Sequence, residues 1–130
     1  MGLDCSHDAF SGAYSAFNRF RQAISKVTGG SFPPHKDESL DDTQIYWDED
    51  FPKTNPGLKV FLMHSDCDGS LTYKECRLIA NEMEAILDKL EPLGTGGGHL
   101  EAAGGYGGVA RRFIKGCRDA ASKRQKLLFR

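Results

Sequence analysis

The chain has no apolar run approaching the roughly 18 residues that a membrane-spanning helix requires, and no hydrophobic leader segment stands near its start. It has no Cys-x-x-Cys pair either. Its four cysteines, Cys5, Cys67, Cys76 and Cys117, are scattered, which predicts reduced, partly buried thiols rather than a disulfide framework or a zinc knuckle. Neither sign of charge dominates: 17 Lys and Arg stand against 18 Asp and Glu, so net charge gives no argument for a nucleic acid or a membrane surface as partner. A Walker-type Gly-Lys-Ser/Thr is missing as well. These absences leave a cytoplasmic globular protein as the expectation.

What the chain does have is enough length for one core. Its 130 residues, 39% hydrophobic and 27% charged, suit a single ordinary domain. From about residue 8 to residue 28, Phe10, Ala13, Tyr14, Phe17, Phe20, Ile24 and Val27 recur at three- and four-residue steps. That period predicts an amphipathic helix, with Ser6 or Asp8 as N-cap and Gly29-Gly30 as the stop. Its aromatics are expected in the core. His7 beside Asp8 can form a metal or catalytic pair, although a helix start with Asp8 complementing the dipole is the favoured account. Residues 31–57 read as an irregular acidic segment broken by Pro33-Pro34, Pro52 and Pro56-Gly57, with Ile45-Tyr46-Trp47 as a short strand or anchor.

The chemistry concentrates in His64-Ser65-Asp66-Cys67-Asp68-Gly69-Ser70-Leu71-Thr72-Tyr73-Lys74-Glu75. Oxygen-bearing side chains alternate before a glycine, an aliphatic residue follows at Leu71, and a glutamate closes the run. Alternate side chains point inward, the glycine supplies a turn with positive φ, and the terminal glutamate reaches back to the ion. Tyr73, Cys76, Ile79, Ala80, Met83, Ile86, Leu87 and Leu90 then continue as the best amphipathic helix in the chain, ending near Glu91-Pro92.

This stretch resembles a single, degenerate EF-hand calcium-binding motif, a likeness covering roughly residues 58–87. The resemblance implies a helix-loop-helix that binds Ca²⁺ through Asp66, Asp68, the Ser70 carbonyl, Thr72 directly or through water, and Glu75. His64 takes the first ligand place, where the pattern has Asp. Imidazole is a softer donor than carboxylate, so the expected affinity falls to about 10⁻⁴ M or weaker, and Zn²⁺ or Mn²⁺ becomes the alternative ion. His7, His35 and His99 are then candidate additional ligands. Starting from Asp41 or Asp48, no glycine falls sixth and no glutamate twelfth, so no second loop accompanies the first.

The same residues fit two further patterns. Asp66-Cys67-Asp68-Gly69-Ser70-Leu71 also resembles the first motif of haloacid-dehalogenase-type phosphatases, which implies Asp66 as nucleophile at a strand end and Asp68 as acid–base. Against it, His64 and Ser65 separate the apolar run from Asp66, and no acidic pair follows to complete a magnesium site. More simply, Thr72 and Glu75 form a capping box and Asp66-Asp68-Gly69 a plain turn, giving a structural loop with no ion.

Beyond Pro92, eight glycines between Gly94 and Gly108 predict a flexible linker over 94–108. A helix is expected over 109–124, with Arg111, Lys115, Arg118 and Ser122 along one side as a basic stripe, and Leu127-Leu128-Phe129 docking back on the core. Without a DNA or RNA motif, a solvated or internally paired basic face is expected and nucleic acid is not. Met1-Gly2-Leu3-Asp4-Cys5-Ser6 fits the N-myristoylation pattern, with Cys5 as a second acylation position. A lipid anchor at Gly2 is therefore allowed, though one chain holds only marginally. The expected whole is a small, single-domain, mainly α protein with a central EF-hand-like unit over 58–90. Its expected function is that of a divalent-cation-binding regulatory or protein-interaction module, with a protein partner or self-association. The alternatives are a metal-dependent hydrolase or phosphatase using Asp66 and Asp68, or a structural protein with an empty loop.

Overall fold

The computed structural model describes residues 2–30, 50–94 and 98–130. In chain order these form β1 (Gly2–Asp4), a 3-10 turn (Ser6–Asp8), β2 (Ser11–Ala13), α1 (Tyr14–Val27), α2 (Phe51–Thr54) and α3 (Pro56–Met63). There follow β3 (Ser70–Leu71), α4 (Tyr73–Ala85), α5 (Leu87–Leu90), a second 3-10 turn (Glu91–Leu93), α6 (Gly98–Ala102), α7 (Gly105–Ser122) and β4 (Leu127–Leu128). The protein is mainly α-helical with only short strands, and no described helix is long and apolar enough to cross a membrane. Ile45-Tyr46-Trp47, His35 and most of the acidic segment lie outside the described residues.

The helix anticipated from residue 8 begins only at Tyr14. Residues 2–13 instead make an antiparallel hairpin, Leu3 opposite Gly12 and Asp4 opposite Ser11, closed by a Cys5 N–H donated to the Phe10 carbonyl at 2.8 Å. Backbone groups committed to that ladder cannot also start a helix. Phe10 is nevertheless buried, so the three- and four-residue spacing fits the core without being helical throughout. Neither Ser6 nor Asp8 caps α1, whose N-cap is Ala13 with no side-chain bond. The stop is where the glycines put it: α1 ends at Val27, and Gly29 has φ +89°.

α4 packs against both α7 and α3. Phe61 of α3 lies between Phe17 and Phe20 of α1 and Phe113 of α7, with ring centroids 5.6, 5.9 and 4.9 Å away in edge-on contacts. These four rings are fully buried. Glu82 of α4 reaches the start of α3, accepting hydrogen bonds from Gly57 N–H (3.0 Å) and Leu58 N–H (2.8 Å). A carboxylate on free N–H groups at a helix N-terminus is favoured both as an acceptor and by the helix dipole. Cys76 and Cys117 meet across the α4–α7 contact, where their thiols are hydrogen-bonded and unoxidised. That bond to Cys76 and burial hold the Cys117 thiol well above the ordinary range.

The glycine-rich stretch is not simply a linker. α6 lies within it, and Gly105 to Gly108 form the first turn of α7, earlier than the apolar pattern suggests. The glycines are there for close approach: a Cβ on Gly108 would fall 2.2 Å from the Ala103 carbonyl oxygen, and one on Gly107 2.7 Å from Cγ of Glu91. The apolar stripe after Tyr73 is likewise interrupted at Ile86 (φ −108°, ψ 6°), where α4 gives way to α5. At the C-terminus, Leu127 and Phe129 are buried as anticipated, and β4 pairs antiparallel with β3. Cys5 is buried, with its pKa pushed up to about 12 chiefly by desolvation. The folded chain therefore withholds the second acylation position.

Candidate functional site

The loop from His64 to Thr72 joins α3 to α4, and each of its ends is fastened. At the first end, Arg21 of α1 is buried beneath the C-terminus of α3. Its Nη1 donates to the carbonyls of Phe61 (3.2 Å), Leu62 (3.3 Å) and His64 (2.6 Å). These are carbonyls that a helix C-terminus leaves without intrahelical partners. Burial draws the Arg21 pKa down to about 10, and the negative charge of Asp66 opposes that shift. At the second end, the capping box is complete: Thr72 N–H donates to Glu75 Oε1 at 2.8 Å, and Glu75 N–H donates to Thr72 Oγ1 at 3.1 Å. Thr72→Ala removes the second bond and is expected to cost about 1 kcal/mol in urea unfolding.

Between these ends the turn closes around the His64 ring. The ring lies against Phe129, centroids 4.2 Å apart. Its Nδ1 is 2.8 Å from the Ser65 carbonyl oxygen and its Nε2 is 3.1 Å from that of Ser70. A carbonyl oxygen only accepts, so each contact is a hydrogen bond when the ring nitrogen carries a proton. Gly69 turns the chain with φ +87°, and a Cβ there would lie 3.3 Å from Cε1 of the ring. The positive φ favours glycine at this place, and a Cβ would also sit tightly against the ring. The Phe129 N–H donates to the Gly69 carbonyl at 3.0 Å, so the C-terminal strand holds the turn from outside.

The six sequence-predicted ligands are therefore gathered on one loop but differently engaged. Asp66, half-buried, and Asp68, exposed, make no hydrogen bond or ion pair among the described residues. The Ser70 carbonyl faces His64, while Thr72 and Glu75 serve each other's backbone. No group of three or more His, Cys, Asp or Glu side chains among the described residues is placed to hold a metal ion. His7 is committed elsewhere, and the His35 and His99 side chains lie outside the description. The apolar run 58–63 is helical, so Asp66 does not stand at the end of a strand as the phosphatase motif requires.

A second cluster is only half legible in the sequence. Adjacency pairs His7 with Asp8, but the His7 Nδ1 contacts Oδ2 of Asp119 at 2.7 Å, 112 residues away. Asp8 instead takes Arg112, which donates to both its carbonyl (2.8 Å) and its carboxylate (2.6 Å). The hydrogen bond from His7, and then that from Lys123, hold the Asp119 carboxyl below its usual range. The basic stripe is legible, and part of it is internally paired: Arg118 grips Glu84 with two bonds (3.1 and 2.6 Å), and Arg111 pairs with Glu91. Compared with protein-family models, curated proteins and solved structures, the chain matches none.

Proposed function

We propose that this chain is a small helical regulatory or interaction module whose His64–Glu75 loop takes up a divalent cation, Ca²⁺ foremost, at low affinity. The observation that carries this proposal is a turn at Gly69 with positive φ that keeps two unengaged carboxylates, Asp66 and Asp68, on one loop between α3 and a capped α4. Calcium takes six to eight oxygens. Completing that shell draws the Ser70 carbonyl away from His64 and Glu75 Oε1 away from the Thr72 N–H. Those exchanged bonds, and the carboxylate missing at His64, put the affinity at about 10⁻⁴ M or weaker. Zn²⁺ or Mn²⁺ needs the His64 ring turned off both carbonyls before it can act as a ligand. A second reading, a structural joint with no ion, is favoured by the same ring contacts, since the imidazole occupies the mouth of the turn.

Calorimetric titration with Ca²⁺, Mg²⁺, Zn²⁺ and Mn²⁺ decides between them. Glu75→Gln keeps a capping-box partner for Thr72 but loses a carboxylate ligand. It is expected to weaken Ca²⁺ binding by about tenfold or more with little change in Tm. His64→Asp restores the missing charge and is expected to tighten binding by about tenfold. No heat from any of the four cations in the unsubstituted protein would sink the proposal and leave the joint.

A further inference from the structure

A groove of about 820 Å³ runs between the Ser6–Asp8 turn and α7. Its size is that of a small-molecule site. Arg111, Arg112, Lys115 and Arg118 line it against the two carboxylates of Asp8 and Asp119, with His7 in the wall. We infer that this groove binds the phosphate group of a small phosphorylated ligand, held by Lys115, Arg112 and, when the His7 ring carries both protons, its Nε2–H.

Several independent features converge on the place. The His7 side chain is only 11% exposed, and Asp119 accepts a hydrogen bond from its Nδ1. A carboxylate on Nδ1 fixes the ring's orientation, and a ring with both nitrogens protonated then has its Nε2–H left to donate. That leaves Nε2 as the atom with no protein partner among the described residues. The backbone that presents this ring is strained: His7 and Asp8 both have positive φ, +58° and +57°. Non-glycine residues held there are strained and collect at functional sites. Arg112, bonded to the carbonyl and the carboxylate of Asp8, clamps the strained pair in place. Gly116 completes the arrangement, because a Cβ there would fall 2.5 Å from Cβ and 2.7 Å from Cα of Ala9. Only a glycine lets the turn sit close enough to α7 for His7 to reach Asp119, one helical turn further on.

The charge pattern selects the ligand. On α7, Lys115 stands one turn from Arg111 and from Arg118 and shares their face. Arg111 and Arg118 hold Glu91 and Glu84, but Lys115 has no carboxylate partner among the described residues. An unpaired ammonium, an arginine with one edge already oriented, and a ring nitrogen fixed by a carboxylate suit a tetrahedral oxyanion with several acceptor oxygens.

Proton NMR of the histidine ring signals, assigned by the loss of one set in His7→Gln, follows the binding directly. Inorganic phosphate and phenyl phosphate are titrated separately into the full chain, with an acidic hexapeptide of aspartates as a third arm. Saturable movement of the His7 signals by phenyl phosphate is expected, stronger than with inorganic phosphate, and weakened about tenfold in Lys115→Met by loss of one charge-assisted contact. Lys115 is exposed, so that variant is expected to fold even if His7→Gln does not. Signals that stay still in both phosphate titrations, or move equally in Lys115→Met, would overturn the assignment. A response to the peptide alone would overturn it too, in favour of an acidic protein partner.

Discussion

Phe61→Ala is expected to lower the free energy of unfolding by about 3–5 kcal/mol, the range for deleting a fully buried aromatic side chain. In a chain of this length that is expected to take more than about 10 °C from Tm. The size of the effect follows from position. Phe61 is one short helix's contribution to a cluster that otherwise draws on α1 and α7, and it touches Phe17, Phe20 and Phe113. Edge-on aromatic pairs each add about 0.5–1.5 kcal/mol beyond area burial, and all three are lost together. Collapse cannot easily fill the hole, because the neighbouring rings are held on separate helices that pack against other elements. Phe61→Leu, which keeps most of the volume, is expected to lose less than half as much. Equal losses for the two variants in urea unfolding would mean that the cluster relaxes freely and that Phe61 is not its keystone.

The parts of this fold that are legible in the sequence are those decided by near neighbours along the chain. Thr72 and Glu75 are three residues apart, and their capping box depends on little else. Gly29 ends α1 through its own backbone freedom, and the Leu127–Phe129 cluster has to be covered by something. The hairpin of residues 2–13 is hidden because Phe10, Ala13, Tyr14 and Phe17 also fit a helical period. Periodicity records which side chains are buried, not which ladder the backbone joins. The glycines of 104–108 look like slack in a linear reading. Gly107 and Gly108 are there for the closeness of Glu91 and Ala103, while Gly104 and Gly105 take positive φ, +94° and +77°, and only the folded structure shows either.

The candidate loop divides in the same way. Its turn and capped exit are local and follow from the residues themselves. The occupation of its mouth by the His64 ring depends on Phe129, which lies far along the chain. In the sequence His64 stands out for what it lacks, a carboxylate. In the fold its two ring nitrogens each face a carbonyl of the same turn. The pairing of His7 with Asp119 spans 112 residues, and nothing in the local pattern announces it. Only the basic spacing of Arg111, Lys115 and Arg118 hints that this face of α7 has something to hold.

Arg21→Met is the second substitution with a large expected effect, about 2–4 kcal/mol lost in urea unfolding. Methionine keeps the apolar bulk of the arginine stem against the core, so the loss isolates the guanidinium. That group serves three carbonyls at the end of α3. The Phe61 carbonyl also accepts from the His64 N–H at 3.4 Å, so the carbonyls of Leu62 and His64 are the ones stripped. Each buried acceptor left without a donor costs about 1–3 kcal/mol, less where water can reach it. Water can reach the His64 carbonyl, which is only part-buried, more readily than those of Phe61 and Leu62. The damage is therefore expected to be local as well as global. Amide hydrogen exchange of residues 64–68 should quicken before that of α4, because the last turn of α3 loses its anchor while the capping box at Thr72 stays intact. Arg21 also places a positive charge within electrostatic reach of Asp66. Its removal leaves the loop more negative and is expected to tighten, not weaken, any binding of Ca²⁺. Arg21→Lys preserves the charge but replaces the Nη1 donor with a more strongly hydrated ammonium on a different stem, so it is expected to lose stability without the gain in cation affinity. A variant pair in which stability and cation affinity fall together would show that Arg21 acts on the loop only by holding its shape. Opposite signs in Arg21→Met would show that buried charge and helix anchoring are separate contributions of one side chain.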